Sequence, residues 1–261
     1  MLNTFFTEVR QTLIPSGEVK HGPLPPLLVA MTLVTGLVDS FSYLVLGHVF
    51  VANMTGNVVF LAFAFAGASG FSIAASLVAL GAFVLGAFGG GRLGSFLGQH
   101  RGRLLSISAT LQALLLAISA VLAALAGHPL PAIYSYALIV VLGMAMGLQN
   151  ATARRLAVPD LTTTVLTLTI VGIASDSHII GGSGSKAGRR LIAVAAMLVG
   201  ALIGSLLIFH VSSVTPLVIA FIIMAIVAVM TWLLSRNDPD WVYTGVSSAK
   251  LGEAVKTGDR K

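Results

Sequence analysis

The chain has no cysteine and almost no charge: Asp, Glu, Lys and Arg make up only 9% of its 261 residues, and aromatic residues 7%. Without a thiol there is no disulfide framework, no thiolate metal site and no cysteine nucleophile. The scarcity of charge excludes an ordinary soluble domain, where about a quarter of residues are charged. The apolar stretches lack the roughly 10-residue alternation of outer-membrane barrel strands. The six histidines are scattered, with no pair at the spacing of a metal site. The start, with Glu8 and only Arg10 ahead of a distant apolar run, lacks the basic head and cleavage site of a signal peptide, so the first span is expected to stay in the mature protein.

What the chain does have is hydrophobicity, 56% of its residues, in long uncharged runs rich in Gly, Ala, Leu and Val. These are the marks of membrane-spanning helices. Eight apolar segments can be drawn, at about 27–46, 50–67, 71–91, 104–126, 131–150, 161–175, 191–209 and 214–234. The formal charge of +6 sits in short connections and the tail, where membrane orientation explains it better than nucleic-acid binding. If all eight segments crossed from a cytoplasmic N-terminus, Arg92, Arg101, Arg103, Arg154 and Arg155 would fall outside, against the positive-inside tendency. If the second and sixth enter and return, the outward connections 47–70, 127–130 and 210–213 carry no Lys or Arg. Every basic residue then lies inside.

The predicted fold is therefore an all-α polytopic membrane protein with six transmembrane helices and two re-entrant or broken segments, both termini cytoplasmic. Three regions are expected: an N-terminal amphipathic segment (1–23), a membrane domain (24–235) and a polar, disordered tail (236–261). In the first, Leu2, Phe5, Phe6, Val9 and Leu13 recur at helical spacing before Pro15, as in a helix lying on a membrane surface.

The two halves resemble each other. Gly36-Leu37-Val38-Asp39-Ser40 is echoed by Gly147-Leu148-Gln149-Asn150-Ala151, and each is followed by a polar cluster opening another apolar segment. The clusters are Asn53-Met54-Thr55-Gly56-Asn57 and Asp160-Leu161-Thr162-Thr163-Thr164; Gly86 and Gly90 correspond in order to Gly200 and Gly204. Three crossings per half predict an inverted 3+3 repeat (24–126 and 131–235), an architecture used by many transporters with sites where discontinuous helices meet.

Gly36-x-x-Asp39, the string Val49 to Asn57, and Gly147 to Ala151 with Thr162-Thr163-Thr164 resemble the YoaK-like family of bacterial inner-membrane proteins, a domain of unknown function, over roughly residues 25–235. The resemblance implies a multi-pass protein of the bacterial inner membrane and brings no activity with it.

Asp39 is the most telling residue. A carboxylate at membrane depth costs roughly 2.5–3.5 kcal/mol on insertion scales and is read as functional by default, with a polar partner nearby. Thr32, Thr35, Asp39 and Ser42 share one helix face. A protonated Asp bonded to a neighbouring helix is the bland alternative. Asn53, Thr55 and Asn57 can cap a helix start, and Gly56 permits close approach, so a half-helix beginning here would aim its N–H groups inward; Thr162, Thr163 and Thr164 would do so from the other side. Hydrogen bonds that merely close a tight turn explain the same residues. Gly86, Gly90, Gly94 and Gly98, with Gly200 and Gly204, form small-xxx-small stripes whose expected role is helix packing, within the chain or across a homodimer. The run Gly182 to Lys186 matches neither a P-loop nor a nucleophile elbow and is expected to be a plain connection.

The leading expectation is a secondary transporter or permease for a small solute. Its site would comprise Asp39, Asn53, Thr55, Gly56, Asn57, Gln149, Asn150, Thr162, Thr163 and Thr164, with Asp39 taking a proton or cation. The alternative is a non-transporting scaffold or sensor working through helix contacts. An enzyme is not expected, since Asp39 has no second membrane-embedded Asp and no Ser-His pair is evident. Neither is a cofactor or a metal. The expected partners are the lipid bilayer, a small solute and, through the glycines, a second copy of the chain.

Overall fold

The computed structural model describes residues 2–14, 21–97, 99–127, 129–159, 161, 163, 166–175, 187–237 and 239–243. Its helices, in order, are α1 (Leu2–Leu13), α2 (Leu24–Val45), α3 (Met54–Phe65), α4 (Ile73–Leu97), α5 (Arg101–Ala126), α6 (Ala132–Leu156), α7 (Leu166–Ser175), α8 (Ala187–His210) and α9 (Thr215–Ser235), then a 3-10 turn at Asp240–Val242. No strand occurs among the described residues, apart from one isolated bridge between His100 and Tyr243. Six helices are long and apolar enough to cross a membrane. The shortest of these, α9, has 21 residues, about 32 Å against a hydrocarbon core of about 30 Å. The 12 residues of α3 reach only about 18 Å.

Proline marks the starts and left-handed residues the stops. Pro25 sits in the first turn of α2 and Pro216 in that of α9, where the missing N–H costs nothing. After α2, Gly47 (φ 90°) and His48 (φ 57°) turn the chain back, and Ala157 (φ 50°) ends α6. Calling the end where α2 begins the lower end, every described arginine lies in a helix end or connection at that level or in α1, which packs against the starts of α8 and α2.

Bare glycine backbone sets the packing of the spans. α2 packs most closely on α8, α4 on α6 and α5 on α9. A Cβ on Gly36 would strike the Met197 carbonyl, one on Gly200 the Leu33 carbonyl, and one on Gly204 the Ser40 hydroxyl. Between α6 and α4, a Cβ on Gly147 would strike the Phe83 carbonyl, one on Gly86 the Met144 carbonyl, and one on Gly90 Ala151 and the Leu148 carbonyl. These two sets are position-by-position counterparts under the match of Gly36–Ser40 to Gly147–Ala151. The stripe at Gly86, Gly90 and Gly94 is consumed inside the chain, Gly94 making room for the stem of Arg155, while Gly89 and Gly91 face open space. Gly98 lies outside the described residues.

Around these seams Leu28, Leu37, Leu105, Leu142, Met146 and Met224 are fully buried. Leu85, Phe88, Val121, Leu125, Leu198 and Leu202 point outward, as lipid-facing side chains do.

The segment from Leu46 to Ser72 is a closed excursion. His48 Nδ1 lies 3.1 Å from the Gly70 carbonyl, and the His48 and Phe71 rings are 6.1 Å apart, so the chain returns to the upper end where it left. Tyr43, Phe50, Phe60 and Phe63 fill the space between with stacked and edge-on contacts. A cleft of about 300 Å³ beside this neck is lined by Gly47, Gly70, Phe71 and Tyr136 among others.

At the lower end α1 is pinned, Glu8 accepting the Gly188 N–H (3.0 Å) at the start of α8. Residues 239–243, expected to begin a disordered tail, instead fold back: Trp241 and Val242 are buried, and the Trp241 ring occupies the space a side chain on Gly22 would need. An indole and a valine shield more apolar surface packed than free. The rest of the tail, 244–261, and the 176–186 connection with His178 and Lys186 lie outside the described residues.

Candidate functional site

Asp39 lies six residues before the end of α2, about 9 Å below the upper end, and is 4% exposed. Its carboxylate holds the tip of the excursion. Oδ1 accepts the N–H groups of Val51 (3.1 Å) and Ala52 (2.9 Å), and Oδ2 accepts from Asn53 Nδ2 (2.5 Å). From within the excursion, the buried Asn57 accepts the Phe50 N–H (2.9 Å) and donates to the Phe50 carbonyl (2.5 Å). Backbone that is neither helix nor strand must find partners at this depth. Asp39 and Asn57 are those partners, and α3 consequently starts only at Met54.

The expected caps are arranged differently. Asn53 is the N-cap residue of α3 but makes no capping bond, because its amide is turned to donate to Asp39. The Met54 and Gly56 N–H groups go to the carbonyls of Ala52 (3.2 Å) and Asn53 (3.0 Å), so the first turn closes largely on itself. Gly56 lacks a side chain because the Phe50 ring lies where its Cβ would be, 2.7 Å away at closest. Thr55 is exposed.

A second cluster lies one turn deeper on the same face of α2. Gln149, fully buried on α6, donates to Thr35 Oγ1 (2.8 Å) and the Met31 carbonyl (3.3 Å), and its Oε1 accepts from Gln112 Nε2 on α5 (2.5 Å). Asn150, the counterpart of Asp39 in the second half, donates to the Met146 carbonyl of its own helix (2.9 Å). Thr163 is 3% exposed, sits at φ 63° and has no hydrogen-bond partner for Oγ1 among the described residues. Thr162 and Thr164 lie outside the described residues.

Asp39, Asn53 and Asn57 thus meet around one stretch of backbone. Gln149 joins α2 a turn away, and Asn150 donates to the Met146 carbonyl within α6. Gln112 and the aromatic cluster of the neck escaped sequence reading. Gln112 is the lone amide of α5, whose other polar residues are Ser, Thr and two arginines near its start, and an intramembrane amide signals a need for a partner. Tyr43 and the phenylalanines of the neck resemble any lipid-facing aromatics until the excursion is seen to close.

Fold and site together define a polytopic helical membrane protein with a polar cluster buried inside its bundle. Residues 27–230 match the family described as protein of unknown function (DUF1275), and the chain belongs to it. It is also 34% identical over 152 residues to the UPF0700 transmembrane protein YoaK of Bacillus subtilis (strain 168), covering 58% of this chain and 65% of that protein, just under two thirds of the relative's length. No solved structure matches.

Proposed function

We propose that the protein is a secondary transporter or permease for a small solute, lying in the inner membrane with the lower end in the cytoplasm. The carrying observation is the closed excursion 46–72, whose tip is clamped by a buried carboxylate. In a bilayer such a segment is re-entrant, and backbone of this kind is tolerated only where it is buried in protein or lines a watery path. Orientation follows from the arginines gathered at the lower end. The matched glycine contacts of α2 with α8 and α6 with α4 support an inverted repeat, in which each half lends its first span to the other half's glycine-rich span. Two interlocked units of opposite orientation can rock about a shared centre.

Asp39 is the coupling group in this reading. Both its oxygens face N–H donors, and among the described residues no second carboxylate joins it to make the oxygen shell a metal cation needs, so a proton is the better candidate. A proton on either oxygen weakens the carboxyl as acceptor for Val51, Ala52 and Asn53 and loosens the tip. Lower pH should therefore raise access to the start of α3.

Thr55→Cys in this cysteine-free chain tests the idea without knowing the solute. A membrane-impermeant thiol reagent added from outside should modify it faster at low pH than the thiol's own ionisation predicts. Asp39→Asn should remove that excess. Identical pH profiles in the two backgrounds would take Asp39 out of the coupling role, and complete protection from both sides at every pH would count against transport.

A further inference from the structure

We propose that the seam between α5 and α6 is the inward half of the solute path, gated by Gln112 and Gln149, and that it carries a small, oxygen-rich solute that is neutral or anionic. This rests on the transporter reading and assigns it a route. Most polar side chains in the spans bond to a carbonyl one turn back in their own helix, as Thr32, Ser119, Ser205 and Thr231 do. The α5–α6 seam differs. Gln112 bonds Gln149 across it, and a turn lower Thr152 Oγ1, which also lies 2.9 Å from the Leu148 carbonyl of its own helix, is 2.9 Å from Ser108 Oγ. Lower still, Arg101 Nη2 donates to the Leu156 carbonyl (2.6 Å) and lies 3.1 Å from His21 Nδ1. On α6 the positions 149, 152 and 156 fall on one face, as do 112, 108 and 101 on α5. The polar line runs from the middle of the bundle to its lower end, about 16 Å over the eleven residues of α5.

Its upper end abuts Thr35, one turn from Asp39, so the outward excursion and the inward seam meet on a single helix face. All six side chains are fixed by packing. Thr35, Ser108, Gln112, Gln149 and Thr152 are at most 2% exposed, and Arg101 is 4% exposed. Parting the seam frees a donor on Gln112 and an acceptor on Gln149; a solute hydroxyl can serve both, and a solute carboxylate or carbonyl serves the Gln112 donor. Arg101 sets the charge preference. It is a buried cation with no acidic partner among the described residues, and its Nε has no hydrogen bond. A guanidinium with no carboxylate beside it among the described residues repels cations and attracts anions at the inner mouth.

Ser108→Cys exchanges one oxygen for sulfur and should preserve the fold; Gln112→Cys reports on the gate itself. In inside-out vesicles both cysteines should react with methanethiosulfonate reagents, and the anionic ethylsulfonate reagent should outpace the cationic trimethylammonium one by about tenfold. Right-side-out vesicles should show no reaction at either position. Removing the arginine charge with Arg101→Gln should abolish the preference for the anionic reagent. If Thr55→Cys reacts from outside while Ser108→Cys and Gln112→Cys stay protected from both faces, the seam is plain helix packing and this inference fails while the transporter reading stands. If Thr55→Cys is protected as well, both fall. Equal rates with the two reagents would overturn the charge assignment and with it the proposed solute class.

Discussion

Replacing Asp39 with leucine is expected to destabilise the solubilised protein by at least about 3 kcal/mol and to free the excursion that it holds. The carboxylate is the acceptor for the N–H groups of Val51 and Ala52 and for the Asn53 amide. Leucine leaves all three without a partner in a place where water does not compensate. Each buried donor so stranded costs about 1–3 kcal/mol. Asp39→Asn should be milder, because its Oδ1 still serves both backbone N–H groups and only the Asn53 contact turns unfavourable. Thermal unfolding in detergent should rank parent, Asn and Leu in descending order, with limited proteolysis of the leucine variant beginning at 46–53. A leucine variant as stable as the parent would show that the carboxylate is no clamp.

The second large effect is expected at Gly147. A side chain there meets the Phe83 carbonyl and the Ala87 nitrogen, backbone atoms that no rotamer change can move. Gly147→Leu should therefore exceed the about 1–3 kcal/mol of ordinary overpacking and prevent α4 and α6 from closing. Gly36→Leu should do the same to α2 and α8, since Met197 and Ala201 stand in the matching places. Gly89→Leu and Gly91→Leu, with open space around them, should behave like the parent. Size-exclusion profiles of fluorescent fusions would separate the two classes. Equal tolerance at Gly147 and Gly91 would contradict the close approach of the helix backbones.

Much of this was legible in the chain because the bilayer imposes simple demands. Uncharged runs of span length gave the six helices, and the placing of Arg92 to Arg155 argued against eight crossings before any coordinates. The glycine stripes announced close packing because nothing but a missing side chain allows it. What the sequence did not disclose depends on contacts between distant segments. Asn53 reads as a cap until the Asp39 carboxylate is seen to claim its amide. Gly56 reads as a ligand approach until Phe50 is found on top of it. Trp241 and Val242 follow a polar stretch, and only their docking against Gly22 takes them out of the tail. Gln112 signals only that it needs a partner, and that the partner is Gln149 on another helix shows only in the fold.

In the transporter reading, residues 46–72 enter the bundle and come back on the same side. Sidedness of single cysteines at Gly47 and Ala68, two exposed positions at the neck, tests it most directly, with Arg103→Cys as the marker of the opposite face. A membrane-impermeant maleimide applied to intact cells should label both neck positions and spare Arg103→Cys until the membrane is broken. Labelling of Gly47→Cys from one side and Ala68→Cys only from the other would mean that α3 crosses, and the account would fail.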